Sequence, residues 1–334
     1  MLHSRHLRMA GRFAAHRLQR LHPFEVQAAV LNACNLNCVY CRCPDEKIDL
    51  LTTAQWTDAI AGLGALGTMR IKFQGGEPTL RHDFGELVAA ARRAGILTAV
   101  VTNGLQFAAQ PELLDGLDEV VFSLDSATAP HTDRMRGAGV HARVLDAIEL
   151  VRRRGIRSYI NMVVTRDTLD EIEPMLAFCE ARGMGLNAQP VVFGRKYYDD
   201  KARPYAMGDD QVRVMHRRLA EWKRQGRPLM FGASTYENVL SWADYGQVSR
   251  RTPTASTCMA GRFYIHIEPN GDIHPCAQHN ASFTPKNIVR DGLEDALGHV
   301  QQHDCGNCFS AYLNERKGLF ALRPNALLEM ARRG

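Results

Sequence analysis

Short apolar runs alternate with longer amphipathic segments from about residue 25 to residue 191. Six runs rich in β-branched and other apolar residues predict strands at 25–32, 70–74, 97–102, 119–124, 157–164 and 186–191. Helical spacing of apolar positions predicts helices near 53–66, 84–94, 111–117, 141–154 and 169–182. This alternation predicts parallel strands joined by right-handed crossovers, with both sheet faces covered.

The residues at the ends of these segments support the assignment. Thr52 and Thr53 are good helix N-caps. Gly95, Gly155 and Gly183 each follow a helical segment, where glycine ends helices in the left-handed conformation. An open sheet or a partial barrel fits equally well, and in both the ligands gather at the carboxyl ends of the strands.

The alternation of predicted strands and helices ends after residue 192. A polar connection leads to a predicted helix at 209–225, and a hairpin is predicted from apolar runs at 263–267 and 273–275 flanking Pro269-Asn270-Gly271-Asp272. We therefore expect a basic N-terminal segment at 1–24, a core domain at 25–200, a helical connection at 201–257 and a small domain at 258–334.

Composition narrows the class of protein. Of 334 residues, 45% are hydrophobic and 23% are charged, which is typical of globular domains. No apolar run is long enough to span a membrane. The net charge of +5 is spread along the chain, so nucleic acid is not an expected partner. The first 24 residues hold arginines without acidic residues and no secretory core, so we expect a reducing, cytoplasmic location.

Eight of the nine cysteines form two groups, and Cys179 stands alone in a helical segment. The first group, Cys34-x3-Cys38-x2-Cys41, directly follows the first strand. Three thiolates from one loop leave one iron of a 4Fe–4S cluster open to an outside ligand. Zinc with Cys43 as a fourth ligand is the alternative that spacing alone leaves open.

The cysteine spacing, the aromatic Tyr40 and the later Gly75-Gly76-Glu77-Pro78 segment together resemble the radical S-adenosylmethionine (SAM) superfamily. The resemblance implies a partial (βα)6 barrel of α/β class. It also implies that the three cysteines bind the cluster and that SAM chelates the remaining iron. Gly75 and Gly76 would then permit close approach to SAM, and the carboxylate of Glu77 would accept from its amino group.

Further strand ends resemble family segments that line the SAM pocket. Asn103 follows the third strand, Ser123 and Asp125 end the fourth, and Asn161 lies on the fifth. We expect Ser123 and Asp125 to contact the ribose and Asn161 to face the adenosine. The implied chemistry is reductive cleavage of SAM to a 5′-deoxyadenosyl radical that abstracts hydrogen from a substrate.

The second group comprises Cys258, Cys276, Cys305 and Cys308. Its spacing alone permits structural zinc. The Cys258-x12-Gly271-x4-Cys276 element resembles the auxiliary-cluster extensions called SPASM and Twitch, and four cysteines suffice for one cluster. The resemblance therefore implies a small C-terminal Twitch-like domain with a second 4Fe–4S cluster, fully ligated by protein and suited to electron transfer.

The resemblance narrows the type of reaction and does not name the substrate. We expect a radical SAM oxidoreductase that oxidises or otherwise modifies a small metabolite, with a flavodoxin- or ferredoxin-type reductant. Only about 25 residues precede the first strand, which disfavours an added peptide-recognition domain. Arg195, in the polar stretch after the sixth strand, is the candidate substrate contact. The alternatives are a maturase of a ribosomal peptide and a non-catalytic zinc or iron–sulfur scaffold.

Overall fold

The computed structural model describes residues 23–192, 200–247, 249–251, 258–278, 283–303 and 305–323. Its strands are β1 Glu25–Leu31, β2 Arg70–Gly75, β3 Leu97–Thr102, β4 Glu119–Ser123, β5 Arg157–Val164, β6 Gly185–Pro190, β7 Ser249–Arg251, β8 Tyr264–Ile267, β9 Asp272–His274, β10 Lys286–Asn287 and β11 Cys305–Cys308. Its helices are α1 Thr53–Ala65, α2 Phe84–Arg93, α3 Ala129–Arg136, α4 Val140–Arg153, α5 Ile172–Glu180, α6 Asp209–Arg224, α7 Ala233–Leu240, α8 Leu293–Val300 and α9 Ala311–Phe320.

The described strands form one nine-stranded sheet in the order β10-β9-β8-β1-β2-β3-β4-β5-β6, and β11 pairs with β7 separately. Neighbouring strands from β1 to β6 are parallel, which confirms the partial (βα)6 barrel. The predicted hairpin is present, since β8 and β9 are antiparallel. Strand β8 also runs parallel to β1, so the hairpin extends the barrel sheet beyond β1. Strand β1 is also the strand that leads into the cysteine loop.

The two sheet faces differ in polarity. Val26, Ala28 and Val30 on β1 are fully buried in the core that the sheet forms with its helices. Gln27 lies between them in sequence and is only half-buried, on the opposite, lumen-facing side. A fully buried parallel strand is normally apolar on both faces. The polar lumen therefore marks the side available to ligands.

Two predicted helices are shorter than expected. Residues 111–117 form only the 3-10 turn Pro111–Leu114, and residues 169–182 divide into a 3-10 turn at Leu169–Glu171 and α5. Pro174 explains the second difference, because proline fits the first turn of a helix but not its interior. Helices α3, α7, α8 and α9 were not predicted; all are short, with eight to ten residues each.

The N-terminal arginines lie outside the described residues. Across the part of the chain that the structure describes, no helix has both the length and the apolar character that crossing a bilayer requires.

Candidate functional site

The first cysteine loop begins where β1 ends, and two glycines hold it against β2. A Cβ atom on Gly75 would lie 2.0 Å from the carbonyl oxygen of Leu31, and one on Gly76 would lie 2.2 Å from that of Asn32. The Gly76 N–H donates to Leu31 O over 2.6 Å. The close approach that these glycines permit is thus to the backbone that leads into the cysteines. Their predicted contact with SAM stays a prediction.

The three thiols of the loop differ in exposure. Cys38 is buried, while Cys34 and Cys41 are half-buried. Burial raises the pKa of Cys34 to about 11, and it also raises the pKa of Cys38 and of Cys41. Without iron these thiols are protonated at neutral pH, so iron binding must displace their protons.

Glu77 lies directly behind the loop and is almost completely buried. Its carboxylate accepts from the hydroxyls of Thr79 and Thr102, at 2.6 and 2.8 Å, and from the Asn103 backbone N–H at 2.7 Å. Burial raises the pKa of Glu77 in spite of these donors. The Asn103 side chain in turn donates to Asn35 in the cysteine loop at 2.7 Å. These bonds join the ends of β2 and β3 to the loop.

Tyr40 ties the other side of the loop to the end of β4. Its hydroxyl donates to Asp125 Oδ2 over 2.7 Å, and Arg136 Nη2 on α3 donates to Asp125 Oδ1 over 2.8 Å. Asp125 is fully buried and also accepts from the Val163 N–H at 3.1 Å. Both of its oxygens therefore already accept hydrogen bonds from protein, and its contact with ribose stays a prediction.

The remaining pocket candidates lie on neighbouring strands. Ser123 is half-buried at the end of β4 and faces Asn161 of β5 in the sheet register. Asn161 Oδ1 accepts from Asn187 Nδ2 of β6 at 2.7 Å. Their predicted ribose and adenosine contacts stay predictions. Arg195 lies outside the described residues.

The second cysteine group is assembled from three separate segments. All four cysteines line one small cavity, together with residues that include His303 and Leu313; the cysteines are Cys258, Cys276, Cys305 and Cys308. Strand β11 brings two of them in by pairing with β7. Among the described residues, no group of three histidine, cysteine or carboxylate side chains is arranged to hold a single metal ion.

Hydrogen bonds distinguish these thiols from one another. Cys305 donates to Cys258, which lowers the pKa of Cys258 and raises that of Cys305. The hydroxyl of Tyr264 lies 3.5 Å from Cys258 Sγ. His303 accepts from the Cys305 backbone N–H at 3.2 Å, while its other ring nitrogen lies 2.9 Å from Ala260 O. A cavity walled by four thiols matches the all-cysteine donor set of an iron–sulfur cluster.

Comparison with known proteins identifies the family. Residues 29–179 match the radical SAM superfamily. The chain is 30% identical over 275 residues to the PqqA peptide cyclase of Gluconobacter oxydans (strain 621H), covering 79% of this chain and 72% of that protein. The chain belongs to the radical SAM superfamily.

Two further similarities extend this result. The radical SAM chain is 31% identical over 281 residues to the mycofactocin maturase MftC of Mycobacterium ulcerans (strain Agy99), covering 79% and 71% of the two chains. Its fold is also that of Streptococcus suis SuiB bound to S-adenosylmethionine, with a TM-score of 0.66 and 19% identity over 84% of this chain and 68% of SuiB.

These relatives confirm the predicted cofactors. As a radical SAM enzyme with a SPASM/Twitch-type extension, the protein uses a 4Fe–4S cluster, SAM and an auxiliary 4Fe–4S cluster. The two thiol sets fit this inventory, because one offers three ligands and the other offers four. The assignment of individual cysteines to the two clusters stays a prediction.

Sequence reasoning missed several residues around the two sites. Tyr264 and His303 contact the second thiol group, and Arg136 pairs with Asp125 beside the first. A signal for Tyr264 was available, since Tyr264 and His266 carry polar groups at alternate positions of a strand whose other residues are isoleucine. His303 offered only its place two residues before Cys305.

Proposed function

We propose that this radical SAM enzyme modifies a peptide, as a maturase of a ribosomally made precursor. The observation that carries the proposal is the similarity, at 30% and 31% identity over most of both chains, to a PqqA peptide cyclase and a mycofactocin maturase. The sequence alone favours a small metabolite, with a peptide as the alternative. The comparisons favour the alternative.

The polar lumen supports a peptide substrate. Half-buried carboxamides stand on the side of the strands that faces away from the helices: Gln27, Gln74, Asn161, Asn187 and Gln189. A carboxamide offers both a donor and an acceptor, which matches the alternating N–H and C=O groups of a peptide backbone. Such a surface binds an extended polar chain without requiring a charged substrate.

The cofactors and the protein divide the work. When bound, the reduced cluster and SAM supply a 5′-deoxyadenosyl radical that abstracts hydrogen from the substrate. The chain contributes the geometry: Gly76 and Glu77 fix the cysteine loop against β2, and Tyr40 fixes it against Asp125. The carboxamides of the lumen orient the substrate, and the buried strand ends exclude water.

The second thiol group fits a net oxidation. Four protein ligands would leave no iron open to bind substrate. A substrate radical that has lost a proton must still lose one electron. A fully ligated cluster at this site would accept that electron. The oxidoreductase class, the flavodoxin- or ferredoxin-type reductant and a cytoplasmic location belong to this proposal. A reducing compartment keeps the seven cysteines that are predicted to bind the two clusters available for iron.

The test is anaerobic turnover with SAM and dithionite, using short peptides encoded beside the gene as substrates and mass spectrometry as the readout. We expect one peptide to lose two hydrogen atoms or gain a crosslink, and Cys38→Ala to abolish the change. Turnover of a small secondary alcohol such as an aminocyclitol, with every peptide unchanged, would contradict the peptide proposal.

A variant pair tests the lumen specifically. Gln189→Leu removes a half-buried lumen carboxamide, whereas Gln225→Leu makes the same change at an exposed position after α6. We expect Gln189→Leu to raise KM for the peptide about two- to tenfold, since a lost hydrogen bond contributes about 0.5–1.5 kcal/mol. SAM cleavage without peptide should be the same in both variants. Equal KM values would argue against the lumen as the peptide site.

A further inference from the structure

Lys201 contacts the first cysteine loop from a part of the chain far away in sequence. Its Nζ donates to Asn37 Oδ1 over 2.8 Å and to the carbonyl oxygen of Cys41 over 2.8 Å. Asn37 directly precedes Cys38, the second cysteine, and Cys41 is the third. One ammonium group therefore bridges the part of the loop that carries the second and third cysteines. No sequence motif points to this lysine.

The backbone that carries Lys201 is anchored. Ala202 is fully buried and belongs to the same hydrophobic cluster as Cys38 and Tyr40. Tyr205 packs against this cluster, and its carbonyl oxygen accepts from the Arg166 N–H at 3.1 Å. The lysine therefore extends from a fixed segment, and its hydrogen bonds constrain the loop instead of following its motion.

The charge of Lys201 is not neutralised by a carboxylate among the described residues. Two acidic groups near the loop have cationic partners of their own: Asp45 pairs with Arg42 at 3.9 Å, and Asp125 pairs with Arg136. A one-electron reduction of the cluster adds negative charge next to Cys41. An ammonium with no acidic partner within the described ranges favours that reduced state, because net local charge is one of the factors that set cluster potentials.

We propose that Lys201 is a positioning residue for the radical cluster. Its two hydrogen bonds fix the spacing of Cys38 and Cys41, and its charge raises the reduction potential of the cluster that they hold. The inference concerns SAM activation, so it does not depend on whether the substrate is a peptide. A merely solvated lysine in a connection would leave both the loop and the potential unchanged.

The first test is a redox titration of the reconstituted holoenzyme, followed by electron paramagnetic resonance. The radical-cluster signal is identified by its change on addition of SAM. Lys201→Met removes the charge and the donors at similar length, and Lys201→Arg keeps both. Lys47→Met is the control, since Lys47 is an exposed lysine close in sequence to the loop.

We expect Lys201→Met to make one-electron reduction about tenfold less favourable, a shift of about 59 mV to lower potential. Lys201→Arg should restore the potential, and Lys47→Met should leave it unchanged. A native potential in Lys201→Met, or an equal shift in Lys47→Met, overturns the proposal.

A second measurement covers the case in which Lys201→Met fails to retain iron. In the cluster-free chain, iodoacetamide labelling of Cys38, which does not contact Lys201 electrostatically as Cys41 does, should be several-fold faster in Lys201→Met than in the native chain. Labelling of Cys258, at the other thiol group, should be unchanged and serves as an internal reference. Equal labelling of Cys38 in the two chains contradicts the positioning role.

Discussion

The two cysteine groups reach their geometry in opposite ways. Cys34, Cys38 and Cys41 come from one loop whose shape depends on close backbone contacts with the next strand. The second group comes from three segments, of which one enters through the β8–β9 hairpin and another through the pairing of β11 with β7. The spacing of cysteines in one loop predicts the first group, whereas the second group depends on how distant strands pair in the sheets.

The difference also separates their chemistry. Under the predicted assignment, three ligands leave one iron open for SAM, while four ligands complete the coordination of the second cluster and suit it to electron transfer. The surroundings agree with this division: a buried Asp125–Arg136 ion pair braces the first loop, and Tyr264 and His303 surround the second group. Changes at the two sites should therefore have separable effects.

The largest effect is expected at the second cysteine group, where substitution should abolish peptide product without abolishing SAM cleavage. Cys305→Ala/Cys308→Ala removes half of its thiols, so iron content should fall from about eight to about four per chain. Peptide product should be lost, while 5′-deoxyadenosine should still form with dithionite. Loss of 5′-deoxyadenosine together with product would show that the two sites are not separable.

The brace behind the first loop should be the next most sensitive point. Asp125→Asn leaves the Arg136 guanidinium buried without its countercharge, and breaking a buried pair in this way costs about 3–5 kcal/mol. Urea unfolding of the cluster-free chain measures this change. Asp115→Asn is the matched control, because the exposed Asp115–Arg154 pair at 2.6 Å should contribute less than about 1 kcal/mol. An equal loss of unfolding free energy in the two variants would contradict a stabilising role for the buried Asp125–Arg136 pair.

Gly76→Ala tests the local packing that makes the first site readable from sequence. The added Cβ would press on two backbone oxygens of the loop, those of Asn32 and Ala33, and overpacking of this kind costs about 1–3 kcal/mol. We expect weakened iron retention at the first site, measured by iron counting after a chelator challenge. Gly85→Ala, with open space around its Cβ, should retain iron as the native chain does.

The smallest expected difference is between the pKa values of one thiol in each group, and it should appear in their rates of alkylation. Cys34 and Cys258 are both half-buried, but burial raises the pKa of Cys34 to about 11 while a hydrogen bond from Cys305 lowers the pKa of Cys258. Because the thiolate is the nucleophile, iodoacetamide should label Cys258 about tenfold faster in the cluster-free chain at neutral pH. The gap should narrow as the pH approaches 11, and faster labelling of Cys34 at neutral pH would contradict this contrast.

The same contrast explains what could be predicted from sequence. Strands β3 and β5 match the expected 97–102 and 157–164, because apolar runs and glycine terminators are local signals. The parallel pairing of β8 with β1 was not foreseen, since nothing in either strand names its partner. Lys201 and Asn37 lie too far apart in sequence for any spacing rule to connect them.

The most direct test of the account is iron counting and a dithionite assay for 5′-deoxyadenosine after anaerobic reconstitution, on the native chain and on Cys34→Ala/Cys38→Ala/Cys41→Ala. We expect about eight irons and SAM cleavage in the native chain, and about four irons with no cleavage in the variant. Zinc in place of iron, or SAM cleavage that survives the triple substitution, would contradict the assignment of the two sites.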